Sequence, residues 1–374
     1  MRDIYLDKPN LGSSEKRYLA RTIEEGYVST CGPFISEFEE RFGDYLGAGR
    51  AVCTQSGTAA IHISLHELGI GKGDEVIVPA LTFISTVNPV IYLGASPVFA
   101  DVDRKSFNIT AGTVEKLITK KTKAIIPVHL YGNPCEMDDI MRLAKKHNLR
   151  VVEDATESLG AAFNGRNTGT FGEFGCFSFN GNKVITTGGG GMVVGRDKKR
   201  LARIKFLVNQ ARDESRAGYY YPEIGFNYRM TNLEAALGLA QLERLESFLK
   251  KKRRFNAIYR DELGDLDFIR FQEEPAGASS SWWLTNIIIE DKINIPSLQS
   301  KLRSAGVPTR RIFMPITEFP PYKKFRRQPY RNSYDIYERG LSLPGSTCNS
   351  DAGIKYVCRI LRKILLSGKN RKRG

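Results

Sequence analysis

Short apolar runs of strand length alternate with helical stretches over the first 245 residues, and that rhythm leaves few folds open. The runs at 74–79, 97–102, 124–130 and 150–154 predict strands, and the segments at 59–68, 85–92, 113–118 and 137–147 predict helices. Strands that alternate with helices build a mostly parallel sheet, because each crossover lies on a sheet face. After residue 172 the strands shorten, to 176–179 and 192–194. The stretch 233–251 predicts one long helix, with Ala235, Leu239, Leu242, Leu245 and Leu249 as its apolar stripe. A chain of 374 residues exceeds one ordinary domain of ~150 residues. The expected division is a large unit at 1–249 and a smaller α/β unit at 250–374, where 286–290 reads as a strand and 295–305 as a helix.

Composition removes several function classes. No apolar run reaches the ~18 residues of a membrane span, and residues 1–7 lack the layout of a signal peptide, so a cytoplasmic protein without stable membrane insertion is expected. The cysteines at 31, 53, 135, 176, 348 and 358 have no CxxC spacing, which speaks against a disulfide framework or a zinc site. Only His62 and His66 share a helical spacing, and Ile63 stands where a metalloprotease motif needs glutamate, so no metal is expected. The formal net charge is +15, with a basic block of Arg359, Arg362, Lys363, Lys369, Arg371, Lys372 and Arg373. No basic stripe interleaved with aromatics accompanies it, so nucleic acid is not expected as a partner. The charge suits a solvated tail, steering of an anionic substrate, or attraction to anionic lipid.

Ligands of parallel sheets bind beyond the carboxyl ends of the strands. Asp154 sits at such an end, as does the loop after Pro79 that carries Phe83. Asp154 is read as a helix N-cap or as the partner of a protonated ring nitrogen. Lys183 follows the aromatic run Phe177-Ser178-Phe179 and precedes Val184-Ile185 and a glycine run. It is read as a surface lysine or as a desolvated amine suited to imine formation with an aldehyde. Gln55-Ser56-Gly57-Thr58-Ala59-Ala60 is a small-residue turn feeding a helix. It is a plain N-cap or a cradle for a phosphate monoester, to which Ser178 adds a hydroxyl. Phe83 is core or a ring that stacks on a flat cofactor.

In this order these stretches resemble the DegT/DnrJ/EryC1/StrS sugar aminotransferases. The matching stretches are 56–60, 79–86, 127–132, 153–155, 177–192 and 225–230, and the likeness runs from Gly26 to Pro344. The resemblance implies an aspartate-aminotransferase-like fold, of the fold type I that binds pyridoxal 5'-phosphate (PLP). By motif, Lys183 corresponds to the lysine joined to the cofactor and Asp154 to the partner of its ring nitrogen. Gly57, Thr58 and Ser178 correspond to phosphate ligands, Phe83 to the stacking ring and Glu157 to the position near the phenolic oxygen. Asn227 corresponds to the residue that reaches the neighbouring subunit's phosphate, which implies a homodimer with shared sites. Ser29, Tyr228, Arg229, Arg310 and Phe313 are the substrate candidates. Glu157 stands where relatives often carry Gln or His. Arg310-Arg311-Ile312-Phe313 stands where many read Arg-Pro-x-Trp.

The implied reaction moves an amino group from L-glutamate to a nucleotide-linked 4-keto-6-deoxy sugar. Residues 179–183 and 186–192 resemble the members acting on UDP-linked N-acetylhexosamines. GDP-perosamine synthases and TDP-sugar C3 or C4 aminotransferases are the alternatives. Outside transamination the alternatives are a PLP-binding regulator, a nucleotide-binding oxidoreductase, which the missing glycine fingerprint disfavours, and a basic scaffold at membranes.

Overall fold

A computed structural model describes residues 3–291 and 293–370. Its centre is a seven-stranded sheet made of β1 (Ala51–Thr54), β2 (Glu75–Pro79), β3 (Ser96–Ala100), β4 (Thr122–Ile125), β5 (Arg150–Asp154), β8 (Phe174–Ser178) and β9 (Gly191–Val194). Between β5 and β8, the short β6 (Ala162–Phe163) and β7 (Arg166–Asn167) form a separate ribbon that β11 (Ala278–Ser279) extends. The order across the large sheet is β1-β9-β8-β5-β4-β2-β3. The pairs from β3 to β8 are parallel, and only β9 runs antiparallel to its neighbours β1 and β8. The α/β sheet expected from the strand–helix rhythm is therefore present. Its strands read as apolar on both faces because both are covered: Ile77, Val98, Ile125 and Val151 lie in one buried cluster, and Val76, Val78, Phe99 and Val152 in another.

The covering helices are α1 (Ser13–Glu24), α2 (Pro33–Leu46), α3 (Gly57–Glu67), the single turns α4 (Asn88–Tyr92) and α5 (Ala111–Glu115), α6 (Met137–Lys146), α7 (Lys198–Val208) and α8 (Asn232–Leu242). They are followed by α9 (Leu245–Leu263), α10 (Ile295–Ser304), α11 (Arg331–Arg339) and α12 (Asp351–Asn370). A second sheet, of order β10-β12-β14-β13, joins β10 (Ile269–Phe271), β12 (Asn286–Ile289), β13 (Arg310–Arg311) and β14 (Gly340–Ser342). A third buried cluster, with Phe255, Tyr259, Ile287, Leu341 and Val357, packs α9 and α12 on this sheet.

Two expected elements are shorter than their apolar runs. The stretch 233–251 is not one helix but α8 and α9, broken at Glu243 and Arg244. Arg244 is drawn to Glu15 at 2.7 Å and to the Asn10 carbonyl at 3.1 Å, and Glu243 accepts from the Tyr18 hydroxyl at 2.6 Å. Periodicity continues across such a break because both halves bury the same stripe. The strand expected at 124–130 stops at Ile125. Pro127 has no N–H for the ladder, and the chain then turns at Tyr131, whose φ is 59°. Arg362 of the basic block pairs with Asp265 at 2.9 Å, while Arg359 and Lys363 are exposed on α12. The Lys369 side chain and residues 371–374 lie outside the described residues. Among the described residues, no helix is long and apolar enough to cross a membrane.

Candidate active site

The loops that follow the carboxyl ends of β1, β2, β5 and β8 converge on a cavity of ≈430 Å³. After β1 the chain turns at Ser56, whose hydroxyl accepts from the Ala59 amide at 3.1 Å and caps α3. The first helical residues, Gly57 and Thr58, line the cavity, and amides of a first turn have no acceptor within their own helix. Gly57 lies so close to β8 that a Cβ there would meet Ser178 Cβ and Thr156 Cγ2 at 2.9 Å. The cradle is thus two α3 residues beside the Ser178 side chain, at the positive end of a helix dipole.

Lys183 enters the same cavity from the turn after β8, with its side chain 14% exposed. Its Nζ lies 3.4 Å from Glu157 Oε1 and 4.3 Å from the centre of the Trp283 ring. Glu157 is buried and also accepts from the Tyr131 amide at 2.8 Å. Burial pushes its carboxyl above the usual carboxylate range, against the opposing pull of Lys183. Phe83 stands at the mouth, 52% exposed, tilted against Phe313 with ring centres 5.5 Å apart. Arg310 also reaches the cavity, with its guanidinium held by Asp7 at 2.6 Å.

Asp154 ends β5 behind this wall and is buried. Its Oδ2 accepts from the Thr86 hydroxyl at 2.6 Å, Thr86 is 2.8 Å from Thr82, and its Oδ1 accepts from the Thr156 amide at 3.2 Å. The preceding residue, Glu153, points to the opposite face. There it receives three amides from Gly169, Phe171 and Gly172, and it meets His129 Nε2 at 3.1 Å. Strand alternation thus commits one carboxylate to structure and frees the next for the site.

Of the residues singled out from sequence, Gly57, Thr58, Phe83, Glu157, Ser178, Lys183, Arg310 and Phe313 meet in this cavity. Asp154 borders it without being among its lining residues. Ser29, Asn227, Tyr228 and Arg229 lie elsewhere in the monomer. Ser29 and Asn227 are exposed. Arg229 lines a separate cleft with Lys205 and Arg212. Tyr228 stacks on Phe226, and its hydroxyl lies 3.1 Å from His62 Nδ1, so that histidine is engaged in packing. Trp283 and Thr86 were not foreseen. The pair Trp282-Trp283, the only tryptophans in the chain, was the available signal for the first.

A lysine beside a phosphate-sized helix cradle, with a buried carboxylate at the end of the adjacent strand, defines an α/β enzyme built for a phosphate-bearing aldehyde cofactor. The chain belongs to the DegT/DnrJ/EryC1/StrS aminotransferase family, whose model it matches over residues 9–362. It is 39% identical over 361 residues to a GDP-perosamine synthase of Caulobacter vibrioides, covering 96% of this chain and 97% of that protein. It is 36% identical over 359 residues to EpsN of Bacillus subtilis, whose name places it among the pyridoxal phosphate-dependent aminotransferases, covering 93% and 92% of the two chains. Its fold is similar to the PLP-form of Spr1654 from Streptococcus pneumoniae, with a TM-score of 0.92, 26% identity and coverage of 97% and 98%. The protein is a PLP-dependent sugar aminotransferase.

Proposed function

We propose that this enzyme transfers the amino group of L-glutamate to the keto carbon of a nucleotide-linked 4-keto-6-deoxy sugar, with Lys183 as its covalent and proton-carrying residue. The observation that carries this reading is the placement of the Lys183 amine in one cavity with the Gly57–Thr58–Ser178 cradle, beside buried Asp154. These residues fit the cofactor. Gly57, Thr58 and Ser178 would hold its phosphate, Phe83 would cover its ring, Asp154 would pair with the ring nitrogen, and Glu157 would lie near the phenolic oxygen. Bound there, PLP would supply an electron-accepting ring and an aldehyde that reacts with amines. Lys183 Nζ takes the proton from the donor carbon and returns it on the other side of the transfer. Arg310 and Phe313, at the wall, would meet donor or sugar. The division at 1–249 and 250–374 makes the cavity an inter-unit site, since Trp283, Arg310 and Phe313 come from the second segment.

The wording of 179–183 and 186–192 supports a UDP-linked N-acetylhexosamine. The name of the Caulobacter relative supports a GDP-linked sugar instead. Incubation with glutamate and UDP-, GDP- or TDP-linked keto sugars, read by mass spectrometry and NMR, decides between them. Release of 2-oxoglutarate with none of these sugars aminated would refute the proposed acceptor class.

The reading includes a homodimer with shared sites. Tyr219, Tyr220, Tyr221 and Ile224, a few residues before Asn227, are exposed, and a second subunit would cover such side chains. Asn227→Ala should weaken cofactor binding across the interface. Mixed with Lys183→Ala subunits, it should give heterodimers with one doubly damaged and one intact site. Random mixing then restores about a quarter of wild-type activity. Demonstrated heterodimers with no recovered activity would rule out sharing.

A further inference from the structure

We infer that Trp283 is the positioning residue for the Lys183 amine, and that buried Lys252 locks the indole in place. This rests on the assignment of Lys183 as the cofactor lysine. The indole touches the lysine-bearing turn twice. Its face lies 4.3 Å from Lys183 Nζ, and its Nε1–H donates to the Asn182 carbonyl at 2.6 Å. The second bond ties the ring to the residue just before Lys183, so the ring is fixed to the backbone that carries the amine. Glu157 faces Nζ from the other side at 3.4 Å, the outer limit of a hydrogen bond. The amine is therefore bracketed by a carboxylate and an aromatic face. The other charged groups near this amine are Arg310 in the cavity wall and Asp154, whose charge acts on Glu157.

The backbone around Trp283 is built to hold it. Trp282 has φ 48° and Tyr131 has φ 59°, left-handed conformations that bulky side chains rarely adopt. Tyr131 stacks on Trp283 with planes 16° apart, and its amide fixes Glu157, so one residue sets both sides of the bracket. Close approach of the two segments needs Gly132: a Cβ there would meet Ser281 Oγ at 2.4 Å and the Trp283 amide nitrogen at 2.9 Å. Two of the eight non-glycine residues with positive φ among the described residues thus flank this contact, and strain of this kind marks a geometry that is used.

Lys252 completes the lock. It is buried on α9 and donates to the carbonyls of Trp283 at 3.1 Å and Gly345 at 2.9 Å. A buried ammonium costs desolvation, and here it ties together two loop carbonyls, one before β12 and one after β14. Burial lowers its pKa to about 8, so it keeps its proton at neutral pH.

The PLP-loaded protein tests this without a turnover assay. The visible band of lysine-bound cofactor titrates with the charge on Nζ. Removing an aromatic face that favours the positive charge should move the midpoint to lower pH. For Trp283→Leu the expected shift is about one unit, with a smaller shift in Trp283→Phe, which keeps a ring. Lys252→Met should shift it in the same direction by freeing the indole, and this variant carries the test if Trp283→Leu does not fold. A midpoint unmoved, or moved upward, in folded Trp283→Leu and Lys252→Met overturns the inference. A shift in Trp283→Leu alone supports the indole and overturns the Lys252 lock. A wild-type protein that forms no visible band with PLP removes the cofactor-lysine assignment itself, which is a separate result.

Discussion

Lys183→Ala is expected to abolish the visible band of the PLP-loaded enzyme and to lower kcat by at least about 10³-fold, because the proposed function gives one side chain both the covalent attachment and the proton transfer. The fold should survive. The side chain faces a cavity, where it meets Glu157 and the Trp283 face, so its removal enlarges an existing space and opens no new one in the core. Glu157 will be left buried without its cation, and its carboxyl should move further above its ordinary range, since Lys183 is the strongest influence holding it down. Cofactor should still bind through the Gly57–Thr58–Ser178 cradle, but reversibly, and dialysis should remove it faster than from wild type. Absorbance spectra before and after dialysis, with single-turnover assays on glutamate, separate these effects. A surviving band would exclude Lys183 as the attachment point.

Six of the seven central strands were legible because they are buried on both faces and their turns are marked by small residues, whereas the edge strand β1, Ala51–Thr54, was not read. Periodicity failed where a side chain outside the pattern took control. Arg244 breaks the 233–251 stretch by reaching Asn10 and Glu15, more than 200 positions away, which no local window contains. The cradle and the lysine could be read because each sits on a short segment whose residue types are informative alone. Trp283 was hidden for the opposite reason. Its place over Lys183 depends on the approach of Gly132 to 281–283 and on Lys252, contacts between four separated segments. Asn227, Arg229 and Ser29 are not among the residues that line the cavity of their own chain, and the proposed homodimer would bring them to a partner's site.

Asp154→Asn is the sharper test of the cofactor geometry, because it removes charge while keeping shape. The amide oxygen can still accept from Thr86 at the 2.6 Å position, so β5 and the loop 82–86 should keep their places. What is lost is the negative charge that the proposed function sets against the ring nitrogen, and with it the support for positive charge on the electron-accepting ring, together with the acceptor for the Thr156 amide. The expected result is a fall in kcat of about 10²–10³-fold with cofactor affinity changed only a few-fold. Asp154→Ala also removes the acceptor of the Thr86 hydroxyl, leaving Thr82 at 2.8 Å as its partner, and should weaken cofactor binding as well. Thr86→Val gives the converse, with the charge kept and its hydrogen bond removed, and kcat should fall only about tenfold. The ordering of the three variants matters more than any one value. If Asp154→Asn keeps kcat within about twofold of wild type, its charge plays no part at the ring and the carboxylate is only a capping group for Thr156.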